Sequence, residues 1–368
     1  MKKIVGFIKK ETVLTIAFVL AAGSMFITPP DAGYLEYIDF SVISLLFCLM
    51  AAVQGFSAEG LPEFMSKKLT SRIHSSKALA AVLTALCFFL SMLMTNDVAL
   101  ITFVPLTLML FKGRQELLIR TVVLETAAAN LGSMATPVGN PQNLYIYSHY
   151  GYSLPDFFAV MLPLSGFCLI LLALSLVFIP KEQIEQGSAK AQFKPTKCFW
   201  VYCGIFAVSL CTVARLLDYR ICLAATVTAL LIFNRKIFAK VDYALLGTFI
   251  CFFVFVGNIS AVPEIQSLIS SAADGRELLL SCGLSQIISN VPCAIMLSGF
   301  TENSDALLRG VNIGGMGTLI ASLASLISYK LYVRSDGAKK GRYFLEFSIY
   351  NFAFLGILLA AAWLMFGS

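Results

Sequence analysis

Asn130-Leu131-Gly132-Ser133-Met134-Ala135-Thr136-Pro137-Val138-Gly139-Asn140-Pro141-Gln142-Asn143 is a run rich in Gly, Pro and Asn, set inside an apolar segment. A shorter copy stands at Asn312-Ile313-Gly314-Gly315-Met316-Gly317-Thr318. The two align without a gap, pairing Asn130 with Asn312, Gly132 with Gly314, Met134 with Met316 and Thr136 with Thr318. A polar tripeptide precedes each copy: Thr95-Asn96-Asp97 before the first, Ser289-Asn290-Val291 before the second. Polar breaks recurring at matching places in two apolar halves are the mark of duplicated membrane carriers, whose broken helices meet near the bilayer midplane.

The composition agrees. Charged residues make up 13% of the chain, about half the share of an average soluble protein, and mean hydropathy is +0.82. Apolar runs of spanning length, roughly 17–25 residues, lie near 12–29, 38–56, 155–180, 198–217, 219–234, 241–257 and 343–366. Two further runs, 115–150 and 306–331, contain the polar motifs. The segment Met1–Ser24 could pass for a signal peptide, but it reads better as an uncleaved first helix that completes the repeat. Ten cysteines are scattered without CxxC pairs or His partners at metal spacing and read as core residues.

The net charge of +6 sits in short clusters between the spans, which speaks for a lipid bilayer and against nucleic acid as partner. Lys2, Lys3, Lys9 and Lys10 place the N-terminus in the cytoplasm, and Lys67, Lys68, Arg72 and Lys77 return there. So do the clusters around Lys112–Arg120, Lys181–Lys197, Arg235–Lys240 and Lys330–Arg342. Only Arg215, Arg220, Arg276 and Arg309 fall on the outer side. The stretch 78–111 then begins and ends inside, so it reads as a re-entrant helical hairpin with its tip at Thr95–Asp97. The stretch 276–302 begins and ends outside, with its tip at Ser289-Asn290. The expected architecture is an all-α polytopic membrane protein built of inverted repeats, with two re-entrant hairpins and two broken transmembrane helices. The N-terminus lies in and the C-terminus out. Residues 1–180 form the first repeat, with hairpin 78–111 and broken helix 115–150. Residues 181–217 form a cytoplasmic linker and an extra crossing helix, and 218–368 the second repeat, with hairpin 276–302 and broken helix 306–331.

A helix broken inside a membrane leaves backbone groups unpaired, which is tolerated only where they line a cavity or bind something. The two tips and the loops Gly132–Asn143 and Gly314–Ser325 should therefore converge. The candidate substrate and ion ligands there are Thr95, Asn96, Asp97, Asn130, Thr136, Gly139, Asn140, Asn143, Ser289, Asn290, Asn312, Thr318 and Ser322. Small oxygen-bearing side chains suit a hard cation such as Na⁺ together with a small polar solute. Asp97 and Glu125 are the acids placed deep in the membrane, where carboxylates signal an ion or proton pathway. Glu59 and Glu264 read as caps of short interfacial segments. His74 and His149 receive no role.

Thr136–Asn143, with Asn130-Leu131-Gly132, the Thr95-Asn96-Asp97 tip and the inverted repeat, resembles the ion transporter superfamily over almost the whole chain. That superfamily holds divalent-anion/sodium symporters, citrate transporters, arsenite permeases and one family of sodium/proton antiporters. The resemblance implies an elevator-type secondary carrier in the cytoplasmic (inner) membrane, with a scaffold that often forms a homodimer. It would move a small inorganic or organic anion and use Na⁺ or H⁺ as coupling ion, Na⁺ lying near Thr95, Asn96 and Asn140, with no other cofactor. Two departures stand out. The tips read Thr-Asn-Asp and Ser-Asn-Val where dicarboxylate symporters carry Ser-Asn-Thr twice, and the second loop lacks the Pro and Gly of the signature. The Thr-Asn-Asp form is closer to the arsenite-permease branch, so a cation/proton antiporter or arsenite-type efflux permease is the alternative. An intramembrane enzyme would need a paired nucleophile and base or an HExxH motif, and neither is present in the sequence.

Overall fold

The computed structural model describes residues 11–31, 33–70, 73–183 and 193–367. The calls on Lys2, Lys3, Lys9, Lys10, Arg72 and Lys190 lie outside the described residues. Among these residues the chain is helical throughout, with one isolated bridge between Ser75 and Gln183 in place of any sheet. In chain order the helices are α1 (Thr12–Ser24), α2 (Tyr34–Tyr37), α3 (Phe40–Ala58), α4 (Leu61–Thr70), α5 (Ser76–Ser91), α6 (Asn96–Leu110), α7 (Gln115–Ser133) and α8 (Pro141–His149). There follow α9 (Leu154–Ser175), α10 (Lys197–Val213), α11 (Tyr219–Phe233), α12 (Tyr243–Ser260) and α13 (Pro263–Ala273). The last five are α14 (Glu277–Ile288), α15 (Asn290–Ser298), α16 (Ser304–Ile313), α17 (Leu323–Val333) and α18 (Lys340–Phe366).

Among the described residues four helices are long and apolar enough to cross a membrane: α3, α9 with its 3₁₀ extension to Phe178, α12 and α18. They differ in place. Over an apolar stretch of 18 residues in each, 67% of α3 is buried inside the protein, against 33% of the α9 segment and 22% of α18. On α18 the outward residues are Phe344, Leu345, Ile349, Phe352, Trp363 and Leu364, an apolar face that water would not tolerate and lipid does. The chain is therefore an all-α polytopic membrane protein. The ten cysteines are unpaired.

The interrupted stretches are made of shorter helices. α5 and α6 have 16 and 15 residues, and α14 and α15 have 12 and 9, so each is about 14–24 Å long at 1.5 Å per residue. That is less than the roughly 30 Å hydrocarbon core. α6 begins at Asn96, so Asp97 lies in its first turn rather than in the connecting turn. α7 continues two residues further than expected, to Ser133, before the break at 134–140, and α8 starts on Pro141, where a missing N–H costs nothing. In the second copy the break spans 314–322, so Ser325 sits inside the first turn of α17.

Two glycines let each broken helix lie against its neighbouring short helix. A Cβ on Gly132 of α7 would stand 2.1 Å from the Phe88 carbonyl oxygen on α5, and one on Gly310 of α16 would stand 1.9 Å from Ser281 Oγ on α14. Arg309 is buried within α16 with its guanidinium 4.2 Å from the Phe366 ring centroid. Glu59 closes the C-terminus of α3, and its carboxylate accepts from the Thr196 hydroxyl and N–H across the chain. Glu264 lies in the first turn of α13, where an acid complements the helix dipole.

Candidate functional site

Both short-helix junctions are tied to the neighbouring break in the same way. The Asn96 N–H donates to the Gly139 carbonyl (3.2 Å), and the Asn290 N–H donates to the Ala321 carbonyl (3.0 Å). Thr136 Oγ1 donates to the Met92 carbonyl (2.5 Å), and Thr318 Oγ1 to the Gln286 carbonyl (2.9 Å). Each bond satisfies a helix-end group that would otherwise be orphaned. Thr136 and Thr318 thus use their hydroxyl protons to fasten loop to helix.

The two copies then interlock. Asn130 at the end of α7 receives Ser322 Oγ on its Oδ1 (2.9 Å) and donates Nδ2 to Ser325 Oγ (3.3 Å). Asn312 at the end of α16 receives Asn140 Nδ2 on its Oδ1 (3.2 Å) and donates Nδ2 to Asn143 Oδ1 (2.7 Å). Ser322 and Ser325 occupy the places in the second copy that Asn140 and Asn143 hold in the first. Each broken helix therefore ends in an asparagine that grips the break of the other. Asn130 Oδ1 also accepts from Asn96 Nδ2 (3.1 Å), which links the first short-helix pair to this knot.

The breaks are filled differently. Asn143 donates Nδ2 to the carbonyls of Ser133, Met134 and Thr136 at 3.0–3.3 Å, saturating the first loop. In the second loop Ser325 is too short for that task. Gln286, from α14, takes it over, donating Nε2 to the carbonyls of Gly314 and Met316 (both 2.9 Å) while its Oε1 accepts from the Thr318 N–H (2.9 Å). Gly317, at φ 103°, passes 2.2 Å from Gln286 Oε1 at the point where a Cβ would stand.

Of the residues expected to bind, three share a cavity of about 130 Å³: Thr95, Asp97 and Asn140. Its polar lining is completed by Gln54 on α3 and Asp242 at the start of α12, neither foreseen from sequence. The rest is apolar, with Leu46, Met50, Val98 and Leu245 among the walls. Two helix N-termini open onto it, since Thr95 is the N-cap of α6 and Asn140 that of α8. Asp97 sits in the first turn of α6 with its N–H bonded to Asn96 Oδ1 (3.0 Å), and its own buried Oδ1 has no hydrogen-bond partner. Among the described residues no lysine or arginine lines the cavity.

The remaining candidates lie elsewhere. Asn96, Asn130, Asn143, Asn312 and Ser322 are buried in the knot behind the cavity wall. Gly139 lends its carbonyl to Asn96, and Ser289 and Asn290 mark the second junction, whose next residues, Val291 and Pro292, line a neighbouring cavity with Asp242, Lys330 and Glu11. Glu125 is fully buried, accepts from Thr107 Oγ1 on one oxygen and has no partner on the other, and borders neither cavity.

The chain was compared with known proteins. A family model described as citrate transporter matches residues 4–308. The inner membrane protein YbiR of Escherichia coli is 32% identical over 315 residues, covering 84% of each chain. The uncharacterized transporter MJ0456 of Methanocaldococcus jannaschii is 32% identical over 332 residues, 88% of this chain and 90% of the relative. The silicon efflux transporter LSI3 of rice (Oryza sativa) is 29% identical over 126 residues, 34% of this chain and 26% of that one. With an interlocked pair of broken helices and a family match across most of its length, the chain belongs to the citrate transporter family of membrane carriers.

Proposed function

We propose that this protein is a secondary active carrier of the elevator type, moving a small anion across the cytoplasmic membrane with Na⁺ or H⁺ as coupling ion. The carrying observation is the composition of the Thr95–Asp97–Asn140 cavity. Two helix N-termini offer the positive ends that suit an anionic group. Asp97, with an unpartnered oxygen and no basic side chain in the lining, calls for a cation or a proton beside it. A cavity built this way takes anion and cation together more readily than either alone. The short helix pairs α5–α6 and α14–α15 serve as the re-entrant hairpins, and the basic clusters orient the N-terminus inward. The printed name of the Escherichia coli relative supports the inner membrane.

A second reading is favoured by Asp242 opposite Asp97. Two carboxylates in one cavity suit exchange of a cation or proton for a neutral hydroxylated solute, as an efflux permease would require. Purified protein in liposomes decides between them. Uptake of citrate, succinate, sulfate, arsenite and ²²Na⁺ is measured under imposed Na⁺ or pH gradients. Anion uptake driven by an inward cation gradient supports the first reading. Exchange of arsenite or Na⁺ against protons, with no organic or sulfate anion moved, supports the second. In Asp97→Asn the cation or pH dependence should change; an identical profile removes Asp97 from coupling.

A further inference from the structure

Asp242 stands at the junction of two cavities. It lines the one beneath the first helix junction with Thr95, Asp97 and Asn140, and the one beneath the second with Val291 and Pro292. It belongs to α12, which packs on α1, on α15 of the second short-helix pair and on α3, whereas Asp97 belongs to the α5–α6 pair. Its Oδ1 caps α12 by accepting from the Leu245 N–H (3.0 Å). That role does not require a charge, because Asn and Ser cap helices as well as Asp. The side chain is exposed and lines both cavities, the first of which has Leu46, Met50, Val98 and Leu245 among its walls. A charge held among apolar walls acts over a longer range than one in water and concentrates counter-ions in the cleft.

We infer that Asp242 is a one-sided cation gate, completing a cation site with Asp97 while the first helix pair faces the cavity side and losing it once that pair moves away. The inference rests on the proposed coupling and extends it by naming a stationary partner and a sidedness. The charge distribution assigns the cavity side to the cytoplasm, since Lys240 and Lys330 flank it. The orphaned Asp97 oxygen supplies the other half of the site. The titratable side chains facing Asp242 across the two cavities are Asp97 on α6, Lys330 on α17 and Glu11 ahead of α1. None of them changes in the variants below.

The test uses full-length protein reconstituted with fixed orientation, in wild-type, Asp242→Asn, Asp242→Ser and Asp242→Glu forms. Half-saturating Na⁺ at constant pH and the pH midpoint at constant Na⁺ are read from each face. The Asn and Ser variants should need about tenfold more cation at the cytoplasmic face, with the outer face unchanged and Glu close to wild type. An equal shift at both faces overturns the assignment, because lost capping would act on both alike. No shift in either variant, with wild-type coupling intact, overturns it while leaving the coupling reading standing. A wild-type protein indifferent to Na⁺ and pH overturns both.

Discussion

At the scale of the residue, the two junction asparagines hold the breaks of the helices closed. The Asn96 N–H seals the first break and its side chain reaches Asn130, while the Asn290 N–H seals the second. Alanine keeps the backbone bonds and, at Asn96, removes the link to the knot. Asn96→Ala and Asn290→Ala should each reduce uptake to background while membrane insertion and elution as a folded species persist. Near-normal transport by both would show that these side chains are dispensable. Ser289 offers a different test. It is held at φ 76° and ψ 154°, a region natural almost only to Gly and costing about 1–3 kcal/mol for other residues. Ser289→Gly should therefore raise the unfolding temperature in detergent. A lower temperature would mean that the long 3.4 Å bond from Ser289 Oγ to the Ala321 carbonyl outweighs the strain.

At the scale of the element, the two halves solve one problem with different side chains. A break inside a membrane needs donors for its bare carbonyls. The first loop finds them in Asn143, two residues after the Pro141 that restarts the helix; the second finds them in Gln286, on another helix. Gln286→Ala should lower stability by about 1–3 kcal/mol, the cost of leaving a buried polar group unpaired, read as a fall in unfolding temperature. Gln286→Glu should not rescue it, since a carboxylate cannot donate to the two carbonyls. Equal stability of wild type and both variants would show that water fills the role. The same contrast explains what could be read in advance. The breaks near 132–139 and from 314 were legible because Gly, Pro and Asn punctuate apolar helices whatever surrounds them. Gln54, Asp242 and Gln286 were not, because a lone Gln in a helix and an Asp before one have ordinary local readings. Their part at the site comes from helices distant in sequence. Thr136 and Thr318, expected as ligands, use their hydroxyls to tie loops to neighbouring helices, a role that composition alone does not show.

At the scale of the whole molecule, the knot of Asn130, Asn140, Asn143, Asn312, Ser322 and Ser325 joins both broken helices into one body. No such bonds run from it to α3 or α12 across the cavity. Around the cavity the walls are largely apolar, with Leu46, Met50, Val53, Val98 and Ile101, a contact that gives packing without direction. Direct bonds from α8 lie elsewhere, Tyr147 Oη donating to the Val213 carbonyl (2.8 Å) and Ser148 Oγ to Asp39 Oδ2 (3.4 Å), and the proposed elevator would have to break or carry them. A cysteine pair at Val53 on α3 and Ile101 on α6, in a background without the native cysteines, places one thiol on each side of the same cavity. Joined by a short bifunctional thiol reagent, the pair should hold the molecule in this state and cut uptake to background. Reduction of a cleavable reagent should restore it, and either single cysteine should remain active. Substrate binding in detergent, followed as a ligand-induced rise in unfolding temperature, should survive the cross-link, because the cavity stays formed. If full uptake persisted with the cross-link complete, the two bodies need not move apart to carry solute, and transport would have to proceed by local opening around the first helix pair.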